Sequence, residues 1–179
     1  MKDHQRATLS LCILFIALLE IFNPTSSSAQ RTGEHAEMDR LEQQAHDLAA
    51  QSDPEGAALA IGKAAMMADL LTKKAQKPAT QDSFQAASLL YRAQELGLRA
   101  LALFDRIGGI PPAPVGICQY LSQAHKKLAG ANTLLENTPD SSQKDIKIRR
   151  DHLHKKINEW QTHLQVLHED FACSAIPNE

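Results

Sequence analysis

The stretch EWQTHLQVLHEDF, residues 159–171, holds the side chains best suited to chemistry in this chain. Glu159 and His163 are four residues apart, so on a helix they share a face and offer half of a metal site. Glu42 and His46 have the same spacing, and such pairs from several helices build di-metal centres in bundles. Both glutamates, however, fall off the apolar stripes of their helices. We therefore predict no metal site and interpret the stretch as the buried edge of a helix with exposed flanking histidines.

A haem group is the alternative that these residue types leave open. Met38 lies on an apolar stripe in the first helical segment, and His163 and His168 lie near the end of the last one. One ligand from each segment would match the layout of soluble b-type cytochromes, which is an analogy between folds alone. The chain has no C-x-x-C-H motif, and its methionines are explained more simply as core residues. We predict no cofactor and keep a haem- or metal-binding bundle as the alternative function.

The other reactive residue types form no catalytic pattern. There is no G-x-S-x-G motif, and RIGGIPPAP (106–114) lacks the Lys and the Ser or Thr of a phosphate-binding loop. Cys118 and Cys173 have neither metal-ligand nor C-x-x-C spacing, and in an oxidising compartment such a pair favours a disulfide. We predict that the protein is not an enzyme and that these two cysteines are joined.

The N-terminal region predicts export. Basic residues precede an apolar run, LSLCILFIALL (9–19), and small residues precede a cleavage point after Ala29. The run is shorter than the roughly 20 residues that a bilayer-spanning helix needs. We predict a cleaved signal peptide over residues 1–29 and a single domain over residues 30–179. The mature protein would be periplasmic or secreted, with no integral membrane span.

Charge is distributed unevenly along a nearly neutral chain. The formal net charge is −2, so strong attraction to nucleic acid is not expected. KDIKIRRDHLHKK (144–156) has six Lys or Arg against two Asp. Residues 30–56 have the opposite balance, with seven Asp or Glu against two Arg. One interpretation is an internal match that docks the first helix on the last; the other is a surface for an acidic protein partner. The residues predicted for that surface are Lys147, Arg149, Arg150, Lys155 and Lys156.

Prolines divide the mature chain into five segments of helical period, and no alternating β-branched run predicts a strand. The segments are about 33–52, 54–76, 81–107, 117–137 and 142–172. Short connections favour antiparallel neighbours. We therefore predict an all-α fold, an up-down antiparallel bundle of four long helices with the N-terminal helix as a fifth member or lid.

The second segment differs from the others in its composition. AALAIGKAAMMADLL (57–71) is apolar almost all round, which predicts a helix that is covered on most sides, with Trp160 packed against it. Together, these features predict an exported, non-catalytic bundle that binds a macromolecular partner. Three kinds of protein fit this description: an accessory subunit, an inhibitor or immunity-type protein, and an envelope-assembly component. The sequence does not indicate the oligomeric state.

Overall fold

The computed structural model describes residues 33–138 and 144–173, and the chain there forms a helical bundle without strands. Its five helices are α1 (Glu34–Ala50), α2 (Pro54–Lys74), α3 (Pro78–Arg106), α4 (Val115–Asn137) and α5 (Lys144–Asp170). None of the five is both long enough and apolar enough to cross a membrane. The predicted signal peptide, residues 1–29, lies outside the described residues.

Local chemistry accounts for where these helices begin and end. The Asp53 carboxylate accepts a hydrogen bond from the Gly56 N–H (2.8 Å), and Pro54 opens α2, as the sequence predicts. Pro78 likewise occupies the first turn of α3, so this helix begins three residues earlier than residue 81. At the other end of α3, Gly108 has φ 100°, and Gly109 N–H donates to the Phe104 carbonyl (2.9 Å). Glycine is favoured at this left-handed position.

Contacts between helix ends hold neighbouring helices together. Each of three polar pairs joins the end of one helix to the start of the helix before it. The pairs are Lys74 with Glu34, Arg106 with Glu55 (2.6 Å) and the Thr138 hydroxyl with Asp82 (3.3 Å).

The core is centred on α3, which contacts α2, α4 and α5 directly and reaches α1 through Tyr91. The second helix is less covered than expected, because it contacts α1 and α3 while Leu59, Met66 and Leu70 are 58%, 59% and 46% exposed. The alanines of α2 are buried almost completely. Because their side chains are small, α1 and α3 can approach α2 closely. α4 and α5 then pack on α3.

The prediction for Trp160 was wrong in its partner helix. Its ring is half-buried and lies against α3 at Gly97, where an added Cβ would come 3.3 Å from Trp160 Cζ3 and 2.9 Å from Leu164 Cδ2. A glycine on α3 creates the space for the indole, and α2 lies on a different side of α3. The apolar spacing of α5 predicted which face of the helix is buried, but it did not predict that this face contacts α3.

The two cysteine sulfurs lie at bonding distance in the structure, 2.01 Å apart, with the Cα atoms 5.5 Å apart. Cys118 lies in the first turn of α4 and Cys173 lies three residues beyond the end of α5. α4 begins at Val115, so α4 and α5 have 23 and 27 residues and differ by only about 6 Å in length. The start of α4 and the residues after α5 therefore lie close enough for the disulfide, and the segment before α4 does not have to be extended.

Candidate partner-binding surface on the last helix

The five basic residues predicted for a partner surface lie on two different sides of α5. Lys147 and Lys155 are exposed, whereas Arg149, Arg150 and Lys156 are partly buried. The 3.6-residue repeat of the helix separates them, since neighbouring positions differ by about 100°. The basic stretch is therefore not one continuous surface.

Arg149 faces α3. Its guanidinium lies over the Phe84 ring, 4.6 Å from the ring centre, and His35 of α1 contacts the same ring edge-on at 5.0 Å. A cation over an aromatic face is attracted by the electrons of the ring. Arg149 thus forms part of a layer that joins α1, α3 and α5.

Lys156 belongs to a second layer of the same kind. Its ammonium pairs with Oε1 of Glu42, and the Tyr91 hydroxyl donates to Oε2 of the same carboxylate (3.0 Å). Glu42 is only 8% exposed, although its sequence position predicts a surface residue. Burial, and then the negative charge of Glu42, raise the pKa of Tyr91 far above its usual value, so the phenol stays protonated and remains a donor.

The two layers are separated by seven residues on each helix: His35 to Glu42, Phe84 to Tyr91, and Arg149 to Lys156. The same three helices therefore meet at both layers, at positions seven residues apart on each helix. Of the charge match between α1 and α5 that the sequence suggested, the structure shows the ion pair between Lys156 and Glu42. Arg149 and Lys156 are used by the fold.

Arg150 is directed toward the end of α4. Its guanidinium donates to the Thr138 carbonyl at 3.4 Å. Carbonyls at the end of a helix lack partners within the helix, so a cation placed there is favourable. Arg150 therefore joins the start of α5 to the end of α4.

The outer face of α5 carries Lys147, Ile148, Asp151 and Lys155, and Asp151 lies between the two lysines. The Ile148 side chain is 57% exposed, and Lys155 lies 3.8 Å from Glu159 in an ion pair that is itself largely exposed. Such pairs contribute little to stability. Partial burial, and then the positive charge of Lys156, lower the pKa of the neighbouring His152, so its imidazole is neutral at neutral pH. The positive charge of this face is carried by lysine.

One cleft opens where α1, α3 and α5 begin. It measures about 190 Å³ and is lined by His35, Thr80, Ser83, Phe84, Asp145, Ile146 and Arg149. Pockets that bury small-molecule ligands are commonly about 300–1,000 Å³. The Ser83 hydroxyl already donates to the Ala79 carbonyl (2.8 Å), and Arg149 and His35 contact Phe84. The cleft is small, and three of its lining side chains, Ser83, His35 and Arg149, are engaged within the fold.

The histidines of the opening stretch are placed apart from any ligand cluster. His163 packs edge-on against Trp160 at 4.9 Å, and partial burial lowers its pKa. Residues 33–138 and 144–173 contain no group of three His, Cys, Asp or Glu side chains arranged to hold a metal ion.

Comparison with known proteins returned no relative. No protein-family model matches the chain, and neither the curated proteins nor the solved structures gave a match.

Proposed function

We propose that the protein is an exported, non-catalytic helical bundle that binds a macromolecular partner through the outer face of α5. The division of the basic stretch carries this proposal. Arg149 and Lys156 are used by the fold, whereas Lys147 and Lys155 stay exposed on the same face of α5 as the apolar side chain of Ile148. An exposed apolar residue among charged side chains has the composition of a small docking surface, in which an apolar centre is bordered by a polar rim.

The partner's contact surface would be acidic. Positive charge on an exposed face mainly accelerates encounter with a negative surface, and salt screens that attraction over about 10 Å at 0.1 M. Binding should therefore weaken as the salt concentration rises. The proposal covers three kinds of protein: an accessory subunit, an inhibitor or immunity-type protein, and an envelope-assembly component.

The architecture proposed to present this face is an up-down bundle. The contacts between helix ends support alternating directions, because the end of α2 meets the start of α1 and the end of α3 meets the start of α2. The disulfide between the start of α4 and the residues after α5 supports the same order.

Export is proposed from the N-terminal sequence, and the Cys118–Cys173 disulfide supports it, since structural disulfides persist mainly in oxidising compartments. N-terminal sequencing of the protein from fractionated cells tests this directly. A mature N-terminus at Gln30 in the periplasmic or secreted fraction is expected. A chain that retains residues 1–29 in the cytoplasm would contradict it.

Capture from an envelope fraction tests the binding surface. The variant Lys147→Glu/Lys155→Glu should lose the captured partner while its urea unfolding stays unchanged. Lys126→Glu/Lys127→Glu is the matched control, because it reverses two lysines on α4 and should capture normally. Equal capture by both variants would show that the outer face of α5 does not bind the partner.

An absorbance spectrum and a metal analysis of the purified protein test the alternative function. Neither a Soret band nor stoichiometric metal is expected. Either one would replace the partner-binding proposal with a cofactor-carrying bundle.

A further inference from the structure

A second exposed surface lies on α2, far along the chain from the basic stretch. Leu59, Met66 and Leu70 are 58%, 59% and 46% exposed, although they belong to the most apolar helix. With Lys63 and Lys73 they are spaced four, three, four and three residues apart, so the five side chains form one stripe, named here the outer seam of α2. This is the spacing with which one helix packs along another.

Paired charges border the seam on its α3 side. Arg92 lies 3.0 Å from Glu95 and 3.7 Å from Asp69, while Arg99 lies 2.7 Å from Glu95. The Glu95 carboxylate also lies over Gly62, where an added Cβ would come 3.0 Å from it. These groups fill the junction of α2 and α3 and leave the seam itself facing outward. An apolar centre with a charged border is the usual composition of a protein interface.

The ends of α2 carry opposite charges that specify the direction of a partner helix. Glu55 lies in the first turn, and Lys73 and Lys74 lie in the last. An antiparallel copy of α2 would bring Glu55 opposite Lys74 of the other copy and Leu59 opposite Leu70. A parallel copy would instead place like charges opposite each other, which is unfavourable. Glu55 and Lys74 also pair with Arg106 and Glu34, but both side chains are more than half exposed and can join a larger network.

We propose that two copies of this chain associate through the outer seam of α2, with the two α2 helices antiparallel. Met66 lies near the two-fold axis, opposite Lys63 of the other copy, where its flexible side chain can adapt to the aliphatic part of the lysine. From Leu59 to Leu70 the seam is about 17 Å long. Such a contact is smaller than a standard interface, so the dimer should dissociate on dilution.

Sedimentation velocity over a range of concentrations tests the association. The wild-type protein should shift from monomer to dimer as the concentration rises. Met66→Lys should remain monomeric, whereas Ile148→Lys should associate like the wild type. Ile148 is a matched control, because it is a large apolar residue that is 57% exposed, on a different helix.

Cysteine cross-linking tests the direction, in a Cys12→Ser background that leaves the Cys118–Cys173 disulfide in place. Mixing Leu59→Cys protein with Leu70→Cys protein should give a disulfide-linked dimer under mild oxidation. Leu59→Cys protein alone should not cross-link, because the two introduced thiols would lie about 17 Å apart in the antiparallel pair. Efficient cross-linking of the Leu59→Cys protein with itself would overturn the antiparallel arrangement.

Three outcomes would overturn the proposal. The first is a wild-type protein that stays monomeric at every concentration, even if lipid vesicles or another protein bind the seam. The second is a dimer that Met66→Lys leaves intact. The third is a dimer that Ile148→Lys abolishes. Because the partner-capture variants change α5, whereas Met66→Lys, Leu59→Cys and Leu70→Cys change α2, failure of one proposal does not imply failure of the other.

Discussion

Glu42 is the residue whose position departs most from what its sequence context indicates. It is buried because Tyr91 and Lys156, from two other helices, satisfy both of its carboxylate oxygens. His46, one turn away, is exposed and lies 3.9 Å from the same carboxylate. Glu42 therefore lies beside His46 as the spacing indicates, but its two oxygens are bound by Tyr91 and Lys156. Removing one partner of a buried charged group is costly, since the other remains desolvated.

Lys156→Met should therefore destabilise the protein by about 2 kcal/mol, less than for a fully buried pair because the lysine side chain is 20% exposed. The double variant Glu42→Gln/Lys156→Met should recover much of that loss, since no uncompensated charge remains. Urea unfolding of both variants measures this. Lys155→Met is the control, expected to change stability by no more than about 0.5 kcal/mol. A Lys156→Met variant as stable as this control would contradict the role of the pair.

Tyr91 should show the same environment through its titration. Because the folded-state pKa is raised, its contribution to stability is complete below about pH 10, where an unfolded tyrosine ionises, and is lost as the pH rises further. In Tyr120→Phe, Tyr91 is the remaining tyrosine, so its phenolate absorbance should appear only as helix content is lost. Phenolate formation near pH 10 with the helices intact would show that Tyr91 is not buried against Glu42.

At the scale of elements, α3 has a glycine at the position where α5 packs closely against it. Gly97 makes room for Leu164 and Trp160 of α5, whereas Gly130 of α4 has only ordinary contact, with an added Cβ 3.5 Å from Leu89. Two glycines inside helices therefore have different reasons for being present.

Alanine substitution separates these reasons. Gly130→Ala should stabilise the protein by about 0.5–1 kcal/mol, the usual gain for alanine over glycine inside a helix. Gly97→Ala should lose that gain and destabilise by about 1 kcal/mol, since Leu164 is completely buried and cannot easily move from a Cβ at 2.9 Å. Thermal and urea unfolding measure both. Equal stabilisation by the two substitutions would mean that α5 does not pack closely on Gly97.

At the scale of the whole molecule, the α4–α5 hairpin is closed at both ends. Arg150 contacts Thr138 at one end, and the disulfide joins Cys118 to Cys173 at the other. Near the disulfide, the Ala113 N–H donates to the Phe171 carbonyl (2.8 Å) and the Phe171 ring lies 4.1 Å from that of Phe104. The residues that directly follow α5 are thus held in place by packing as well as by the disulfide bond.

Replacing both cysteines by alanine should lower the free energy of unfolding by up to about 4 kcal/mol, the chain-entropy value for a sequence separation of 55. The remaining contacts of Phe171 should keep the native fold, so helix content and Trp160 fluorescence should not change in water. Urea unfolding of the oxidised wild type, the reduced wild type and the double variant measures the effect. The last two should agree, and a variant as stable as the oxidised protein would contradict the prediction.

Periodicity and proline positions in the sequence were enough to predict the helices, because a 3.6-residue apolar repeat and a capped proline such as Pro54 act within a single segment. The cysteine pair was predicted from the export signal and the spacing of the cysteines, neither of which requires knowledge of how the helices pack. Which faces meet was decided by the tertiary structure: Glu42 is buried by Tyr91 and Lys156, Trp160 packs at Gly97, and the outer seam of α2 is left exposed. Such pairings depend on the relative rotation and register of helices from separate parts of the chain, and a pattern within one helix does not contain that information.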